Sequence, residues 1–463
     1  MFSAEKYVGR RKQLIEQLSS GIVLLPGNNR VPMNYAGNPY PFRQDSHFLY
    51  YFGIDLPDLV GVVDVDSGEC YLFGDELSLD DLIWVGEYPA LADLAQKSGV
   101  SKLFPKVRLE NYLATAMQLK RPIHYLPPYR SDRLLQLSEW LSLTPQEVKQ
   151  QISSDLIGAV VSQRSIKDVD EINEIELTIN QITSEMFLTA LHLCEPGKRE
   201  SEIAAAIENI AKAQGSQLAF PSICSVNGHY LHNESYANTL QEGQLLLVDA
   251  GCESRLHYAT DLTRVFPVAK TFSAQQAEIY QLVLEMQRKA LEMIRPGITY
   301  LSVHKQACKV MVEGFKALGL MSGDTDEIVE QGAHALFFPH GLGHLLGLDV
   351  HDMEDLGEQN TGYDENIKRS EVFGTRFLRY GKALKEGLVL TVEPGIYFIP
   401  LLIEQWKKEG KFKQYIHYER LIPYLNFGGI RIEDDIVVTS QGCRVLGNPV
   451  PKTIAEIELL KMP

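Results

Sequence analysis

The sequence predicts an α+β protein in two domains: a smaller mixed α/β domain over residues 1–160, then a larger, internally duplicated α+β domain over residues 161–463. Three observations predict it. Short apolar runs closed by turn residues alternate with amphipathic stretches through the first 150 residues. A polar, helix-forming stretch at 146–169 then makes a natural domain junction. Beyond it one pattern occurs twice, its Pro-Gly marker at Pro196-Gly197 and again at Pro296-Gly297, 100 residues on, which implies a pseudo-twofold domain.

In order, Ile22-Val23-Leu24-Leu25 stops at Pro26-Gly27, as a strand does before a turn. Residues 59–65 and 70–73 flank Asp66-Ser67-Gly68-Glu69 and read as a hairpin, followed by amphipathic helices at 91–97 and 109–118. Past the junction, Ile172, Ile175, Ile179, Ile182 and Met186 recur at spacings of 3 and 4, one apolar helix face. A second helix at 200–214 stops at Gly215. The later copy has helices at 274–294 and 300–318, the latter stopping at Gly319. Each pair precedes a related phrase, Leu218-Ala219-Phe220-Pro221 and Leu336-Phe337-Phe338-Pro339. Chance punctuation by Pro-Gly is the bland alternative. A true duplication sets strand-borne side chains from both copies around one central cleft.

Composition narrows the function classes. Hydrophobic residues are 45% and charged residues 22%, which excludes a disordered or fibrous chain. A net charge of −16 argues against binding nucleic acid or an anionic membrane, since both need clustered Lys and Arg. No run of about 18 apolar residues marks a membrane span. The N-terminal MFSAEKYVGRRKQLIEQL is charged throughout and lacks an apolar signal core, so a cytoplasmic location is expected. The cysteines at 70, 194, 224, 252, 308 and 443 form no CxxC and read as reduced, buried thiols. His47 and His124 stand far apart among aromatics, where packing is the expected role.

The chemistry concentrates in the second half. Leu245-Leu246-Leu247-Val248-Asp249 is an apolar strand ending in an acid, and Asp261 opens another strand pattern twelve residues on. The polar stretch 253–255 allows a hairpin that brings the two acids together. Glu393 closes Leu388-Val389-Leu390-Thr391-Val392 before Pro394-Gly395, and Glu433 lies in the strand pattern 430–438. Alternation there sets Arg431, Glu433 and Asp435 on one face and Ile430 and Ile432 on the other. One acid at a strand end is usually a cap; four are costly to bury without a partner. The run Pro339-His340-Gly341-Leu342-Gly343-His344 continues through Gly347 to His351-Asp352, three histidines within twelve residues. Its glycines lack the G-x-G-x-x-G spacing of a dinucleotide loop, and no P-loop, G-x-S-x-G or H-E-x-x-H is present. From these residues alone the reading is a two-metal hydrolase. Asp249, Asp261, Glu393, Glu433 and one imidazole hold two divalent ions, a bridging water is the nucleophile, and spare histidines shuttle protons or stabilise the oxyanion.

Five ordered blocks carry a resemblance: Leu247-Val248-Asp249-Ala250-Gly251, Thr260-Asp261-Leu262-Thr263-Arg264, the run from His340 to Asp352, Thr391-Val392-Glu393-Pro394-Gly395 and Arg431-Ile432-Glu433-Asp434-Asp435. They resemble the metal-site blocks of the pita-bread metallopeptidases, and within them the Xaa-Pro peptidases, aminopeptidase P and its relative prolidase. Tyr40-Pro41-Phe42-Arg43-Gln44-Asp45-Ser46-His47-Phe48-Leu49-Tyr50-Tyr51-Phe52-Gly53 resembles the aminopeptidase P N-terminal domain, so the likeness covers nearly the whole chain. It implies two divalent ions, Mn2+ in this family. Asp249 would chelate one ion and His344 the other, with Asp261 and Glu433 bridging. Glu393 would be a ligand and would accept a proton from the bridging water. His232, ahead of the first aspartate, and His340 and His351 match the family's active-site histidines; His229 has no counterpart and is left to packing or the surface. His232, His351, Arg379 and Arg431 are the expected substrate-binding residues. Substrates would be proline-containing peptides cut between the first residue and the proline, and the chain would be a homo-oligomer, dimer or tetramer.

Two activities compete. The N-terminal block favours aminopeptidase P, which accepts longer peptides. The long loop at 398–426 and Arg379, fourteen residues before Glu393, resemble prolidase, where an arginine anchors a dipeptide's free carboxylate. Against that, Arg379 reads equally as a solvated base beside Arg376 and Lys382. Aminopeptidase P is preferred. Methionine aminopeptidases lack such an N-terminal domain, and creatinase-like enzymes are not expected to keep all five metal-site residues. A metal-free, peptide-binding pseudoenzyme is the alternative of another class, disfavoured by the intact ligand set.

Overall fold

The expected hairpin across Asp66-Ser67-Gly68-Glu69 forms the middle of the first sheet. In the computed structural model, which describes residues 1–86 and 88–462, strand β1 (Ile22–Pro26) pairs antiparallel with β2 (Val60–Asp64), and β2 with β3 (Cys70–Phe73). Strands β4 (Lys102–Phe104) and β5 (Ile123–His124) add in parallel at the edges, in the order β4-β3-β2-β1-β5. Ile22, Leu24, Val60 and Val62 from this sheet pack with Leu109 and Leu113 of the helix Arg108–Gln118 and with Trp140. The chain divides into two compact units: Met1–Arg164 with Asp355–Asn360, and Ser165–Glu354 with Thr361–Pro463.

His47 and His124 both pack in the first unit. His124 Nδ1 bonds Ser153 Oγ at 2.7 Å and its Nε2 meets Ser20 O at 3.0 Å. His47, on the helix Ser46–Phe52 capped by Asp45, lies between Arg164 and Asp355 at 2.7 and 3.0 Å. Cys70 and Cys443 are only half-buried, against expectation, and all six thiols are free.

The duplication in the second unit is written in its backbone. Gly197 and Gly297 take φ of +89° and +88°, a region glycine enters freely, and each ends a helix-to-helix turn. Gly197 N donates to Leu240 O and Gly297 N to Leu384 O, both at 2.9 Å; the bridges Arg199↔Thr239 and Thr299↔Ala383 repeat the match. The helix pairs are Ser184–Leu193 with Glu200–Ala213, and Ala274–Met293 with Tyr300–Ala317. One copy carries the sheet β6-β7-β8 (Ile223–Ser225, Leu245–Ala250, Leu262–Pro267); the other carries β9 (Val389–Val392), β10 (Gly395–Tyr397), β11 (Gly429–Arg431), β12 (Asp434–Val438) and β13 (Cys443–Val445).

Three local expectations change. The helix read from Ile172 to Met186 is α-helical over Val169–Thr178, π-helical over Ile179–Thr183 and α-helical again from Ser184. The wide turn still buries Ile175, Ile179, Ile182 and Met186. The strand read over 430–438 is broken between β11 and β12, opposite Pro394, which has no N–H to continue the ladder. Residues 430–435 are all buried, and of them Arg431 and Glu433 line one cavity while Ile430 and Ile432 do not. The long loop at 398–426 contains the helix Pro400–Glu409, started by a proline at its first turn and stopped by Gly410 at φ +63°.

Candidate active site

Strand register assembles the acids. Antiparallel β7 and β8 pair Asp249 with Thr263, and Asp261 immediately precedes β8. Thr263 is bridged in turn to Glu433. The pairs Val392↔Asp434 and Gly395↔Arg431 follow one register, which sets Glu393 opposite Glu433 at the break between β11 and β12. The histidine run is fastened beside β9: Leu345 bridges Leu390, Glu393 N donates to Leu342 O at 2.8 Å, and His344 N donates to Thr391 Oγ1 at 3.1 Å. Gly343 permits this approach, since a Cβ there would stand 2.1 Å from Thr391 O. The glycines of the run serve close packing, not a phosphate.

One cavity in the second unit is lined by all ten residues singled out above: His232, Asp249, Asp261, His340, His344, His351, Arg379, Glu393, Arg431 and Glu433. His229 is not among its lining residues; its ring stacks on Tyr230 at 4.3 Å. Asp435 lies behind the cavity wall, where its Oδ2 accepts from Asp261 N at 3.0 Å. Asp261, His344 and Glu433 offer ligand atoms within 4.8 Å of one another, all buried. His344 Nε2 is 3.4 Å from Asp261 Oδ2 and 3.6 Å from Glu393 Oε1.

The protonation logic favours a cation at this place. Burial pushes the carboxyls of Asp261 and Glu433 well above the usual range, and neighbouring carboxylates push them further. Glu393 is raised to about 7, chiefly by burial and then by Asp249, against Arg431 and Arg379. Burial lowers His344 well below its ordinary value, so the ring is neutral. Its Nδ1–H donates to Leu345 O at 3.0 Å, which leaves the Nε2 lone pair facing carboxylate oxygens. Buried Asp249 Oδ1 and Asp261 Oδ1 have no hydrogen-bond partner. Lone pairs facing lone pairs in a buried pocket fit a divalent metal, and the oxygen-rich set with one imidazole suits such ions.

Several site residues escaped the sequence reading. Tyr397 Oη receives a hydrogen bond from Arg431 Nη1 and meets His340 Nε2, each at 2.8 Å. Arg431 also bonds Asp249 Oδ2 and donates through Nε to Thr263 Oγ1 at 3.0 Å, while the Thr263 hydroxyl donates to Glu433 Oε2 at 2.6 Å. Glu354 meets His351 Nδ1 at 2.5 Å and Arg379 Nε at 3.3 Å, and is lowered to about 2, first by the His351 bond. Its position three after His351 was a usable signal. Nothing in the sequence marked Tyr397. His232 is exposed, and its pKa is lowered by partial desolvation and then by Arg431.

A family model described as metallopeptidase family M24 matches residues 177–440, and one for the aminopeptidase P N-terminal domain matches residues 7–124. The chain is 32% identical to a probable Xaa-Pro aminopeptidase of Leptosphaeria maculans, over 91% of this chain and 72% of the relative. It is 31% identical to the Xaa-Pro dipeptidase of Homo sapiens, over 97% and 91%. Among solved structures, the aminopeptidase PepP of Pseudomonas aeruginosa superposes with a TM-score of 0.81 at 29% identity, over 99% of this chain and 98% of that one. Aminopeptidase P of Escherichia coli with the inhibitor Pro-Leu superposes with a TM-score of 0.80 at 30% identity, over the same shares. The duplicated second unit thus has the pita-bread fold that the sequence blocks implied.

Proposed function

The chain belongs to metallopeptidase family M24, and from that premise we propose that it is an Xaa-Pro aminopeptidase, hydrolysing the bond between an N-terminal residue and a following proline. The observation that carries this is the convergence of Asp249, Asp261, His344, Glu393 and Glu433 in one cavity with His232, His340 and His351. The five would hold two divalent ions, and the oxygen-rich donor set favours a hard ion such as Mn2+. Bound there, the ions would supply Lewis-acid polarisation and acidify water near neutral pH.

The chain's own groups divide the remaining work. Glu393, on the cavity wall 3.6 Å from His344 Nε2, is the base that takes a proton from the attacking water. Glu354 accepts from His351 Nδ1 and so orients that ring, leaving Nε2 as its free polar atom on the cavity wall. His351 and His232 thereby meet the substrate. Neutral His340 is engaged at both nitrogens, by Gly341 O and by Tyr397 Oη at 2.8 Å each, so its ring is fixed on the cavity wall, 3.7 Å from Glu393 Oε2. All three nitrogens of Arg431 are bonded within the protein, which makes it a holder of Asp249 and Tyr397 more than a substrate ligand. Proline's ring and missing N–H allow a shaped pocket to select it.

The second reading is prolidase, favoured by one observation: Arg379 lines the cavity, where a guanidinium meets a dipeptide's carboxylate. A dipeptide Xaa-Pro and a tetrapeptide Xaa-Pro-Yaa-Zaa, each incubated with manganese-loaded protein and read by mass spectrometry, separate the two. Release of the first residue from the tetrapeptide is the expected result. Cleavage of the dipeptide alone makes the chain a prolidase, and no cleavage with metal verified overturns the peptidase reading in favour of a binding protein.

A cytoplasmic, homo-oligomeric protein completes the proposal. Six free thiols suit a reducing compartment, and no described helix is long and apolar enough to cross a membrane. The helix Leu79–Val85 buries none of its residues and leaves Trp84 86% exposed, an apolar surface of the kind oligomers cover. Light scattering of the native protein checks the mass; a monomer removes that part.

A further inference from the structure

A second cluster of metal-ligating side chains lies apart from the peptidase cavity in the second unit. His304 and Cys308 stand four residues apart on the helix Tyr300–Ala317 and therefore face the same way. His334, on the short 3₁₀ turn Ala333–Leu336, meets them. Ligand atoms of the three lie within 4.8 Å of one another, and both histidines and the cysteine have no solvent exposure. Cys308 Sγ is 3.6 Å from His304 Nε2. A tetrahedral zinc with Zn–N of about 2.0–2.1 Å and Zn–S of about 2.3 Å sets nitrogen and sulfur about 3.6 Å apart.

The polar atoms here are otherwise poorly served. His304 Nδ1 and both ring nitrogens of His334 make no hydrogen bond of regular geometry, although the Ile328 backbone bears on the His334 ring. Leaving neutral imidazole nitrogens buried and unbonded is unfavourable. Burial lowers His304 well below its ordinary value and His334 to about 4, so both are neutral and have lone pairs to give. None of the three residues lines the peptidase cavity, and the cluster has no carboxylate. We propose that His304, Cys308 and His334 form a buried site for one borderline transition-metal cation of the Zn2+ class, distinct from the carboxylate centre. Two imidazoles and a thiolate select such an ion over Mn2+. Binding releases the Cys308 proton to solvent as the thiolate forms. With no solvent exposure, the site is loaded as the chain folds. Its His304 ring packs on Phe338 at 5.5 Å, and Phe338 meets His340 at 4.8 Å, so the site stands one aromatic layer behind the cavity.

The test uses sulfur as the label, since none of the residues lining the peptidase cavity is a cysteine. Full-length protein is produced in cobalt-supplemented medium, dialysed against a chelator, and examined by near-ultraviolet absorption and metal analysis. The expected result is a thiolate-to-cobalt charge-transfer band with one retained equivalent. That band and that equivalent disappear in Cys308→Ser and survive in Asp261→Asn. If Cys308→Ser does not fold, His334→Gln takes its place, with loss of the band expected again. Absence of the band from cobalt-grown wild-type protein overturns the proposal, and so does its persistence in folded Cys308→Ser.

Discussion

Both units bury ionisable side chains, and one cluster in each handles its charge in the opposite way to the other. In the first unit His47 lies between Arg164 and Asp355, at 2.7 and 3.0 Å, so cation, acid and imidazole answer one another within the protein. In the second unit Asp249, Asp261, Glu393 and Glu433 converge on one cavity with Arg431 as the buried counter-charge, and two aspartate oxygens there have no partner. A buried cluster that closes its own bonds holds structure. One that turns carboxylate lone pairs toward each other is built to receive a cation, and its repulsion is the driving force for binding.

The sharpest way to break the comparison is Asp261→Asn. Its expected effect is a fall in kcat/KM on the tetrapeptide of about 10³-fold or more, on the order of 4 kcal/mol. The metal-free variant should unfold at no lower urea concentration than the metal-free parent, because one of four crowded acids is gone. A metal-free midpoint well below the parent's would mean that the acids stabilise the fold, as the first unit's do.

Asp355→Asn tests the other side. It takes from buried His47 the carboxylate that meets its Nε2, and a loss of about 3 kcal/mol of stability is expected from the urea midpoint. Per-site kcat/KM of the protein that remains folded should be unchanged. A smaller step inside the cavity is Tyr397→Phe, which deletes the hydroxyl joining Arg431 to His340. A loss of about 10- to 100-fold in kcat/KM is expected, as for other groups that orient ligands from behind. Parental rates in that variant would remove Tyr397 from the site.

The smallest effect is in pH. Burial alone would depress His47, but the Asp355 carboxylate outweighs it, and the folded pKa is raised above the ordinary 6.5. A base whose folded pKa is raised contributes stability that is complete below pH 6.5 and is lost as pH rises through the folded value. The urea midpoint should therefore fall as the pH is raised from below 6.5 into the alkaline range, and Asp355→Asn should flatten the profile. A midpoint that instead rises with pH through that range would show His47 to be neutral in the folded state.

Much of this was legible in the chain itself. The strand Leu245-Leu246-Leu247-Val248-Asp249, the helix stops at Gly215 and Gly319 and the repeated Pro-Gly are local patterns, decided by periodicity and by backbone freedom at single residues. Acids at strand ends and three histidines among glycines named the site because burying them has no local benefit. The misses share a cause. The π turn at Ile179–Thr183 and the break opposite Pro394 depend on what the neighbouring elements require. Tyr397 and Thr263 join the site through hydroxyls that look like ordinary strand residues until Arg431 reaches them.

By itself, then, the sequence determined which segments become helix or strand, where the chain repeats and which side chains carry chemistry. These follow from spacing, from turn residues and from the cost of burying charge. Only the tertiary structure decided that Glu393 stands opposite Glu433, that Asp355 belongs with His47, and that His334 meets His304 and Cys308. Those juxtapositions come from strand register and from packing between distant segments, and no local spacing encodes them.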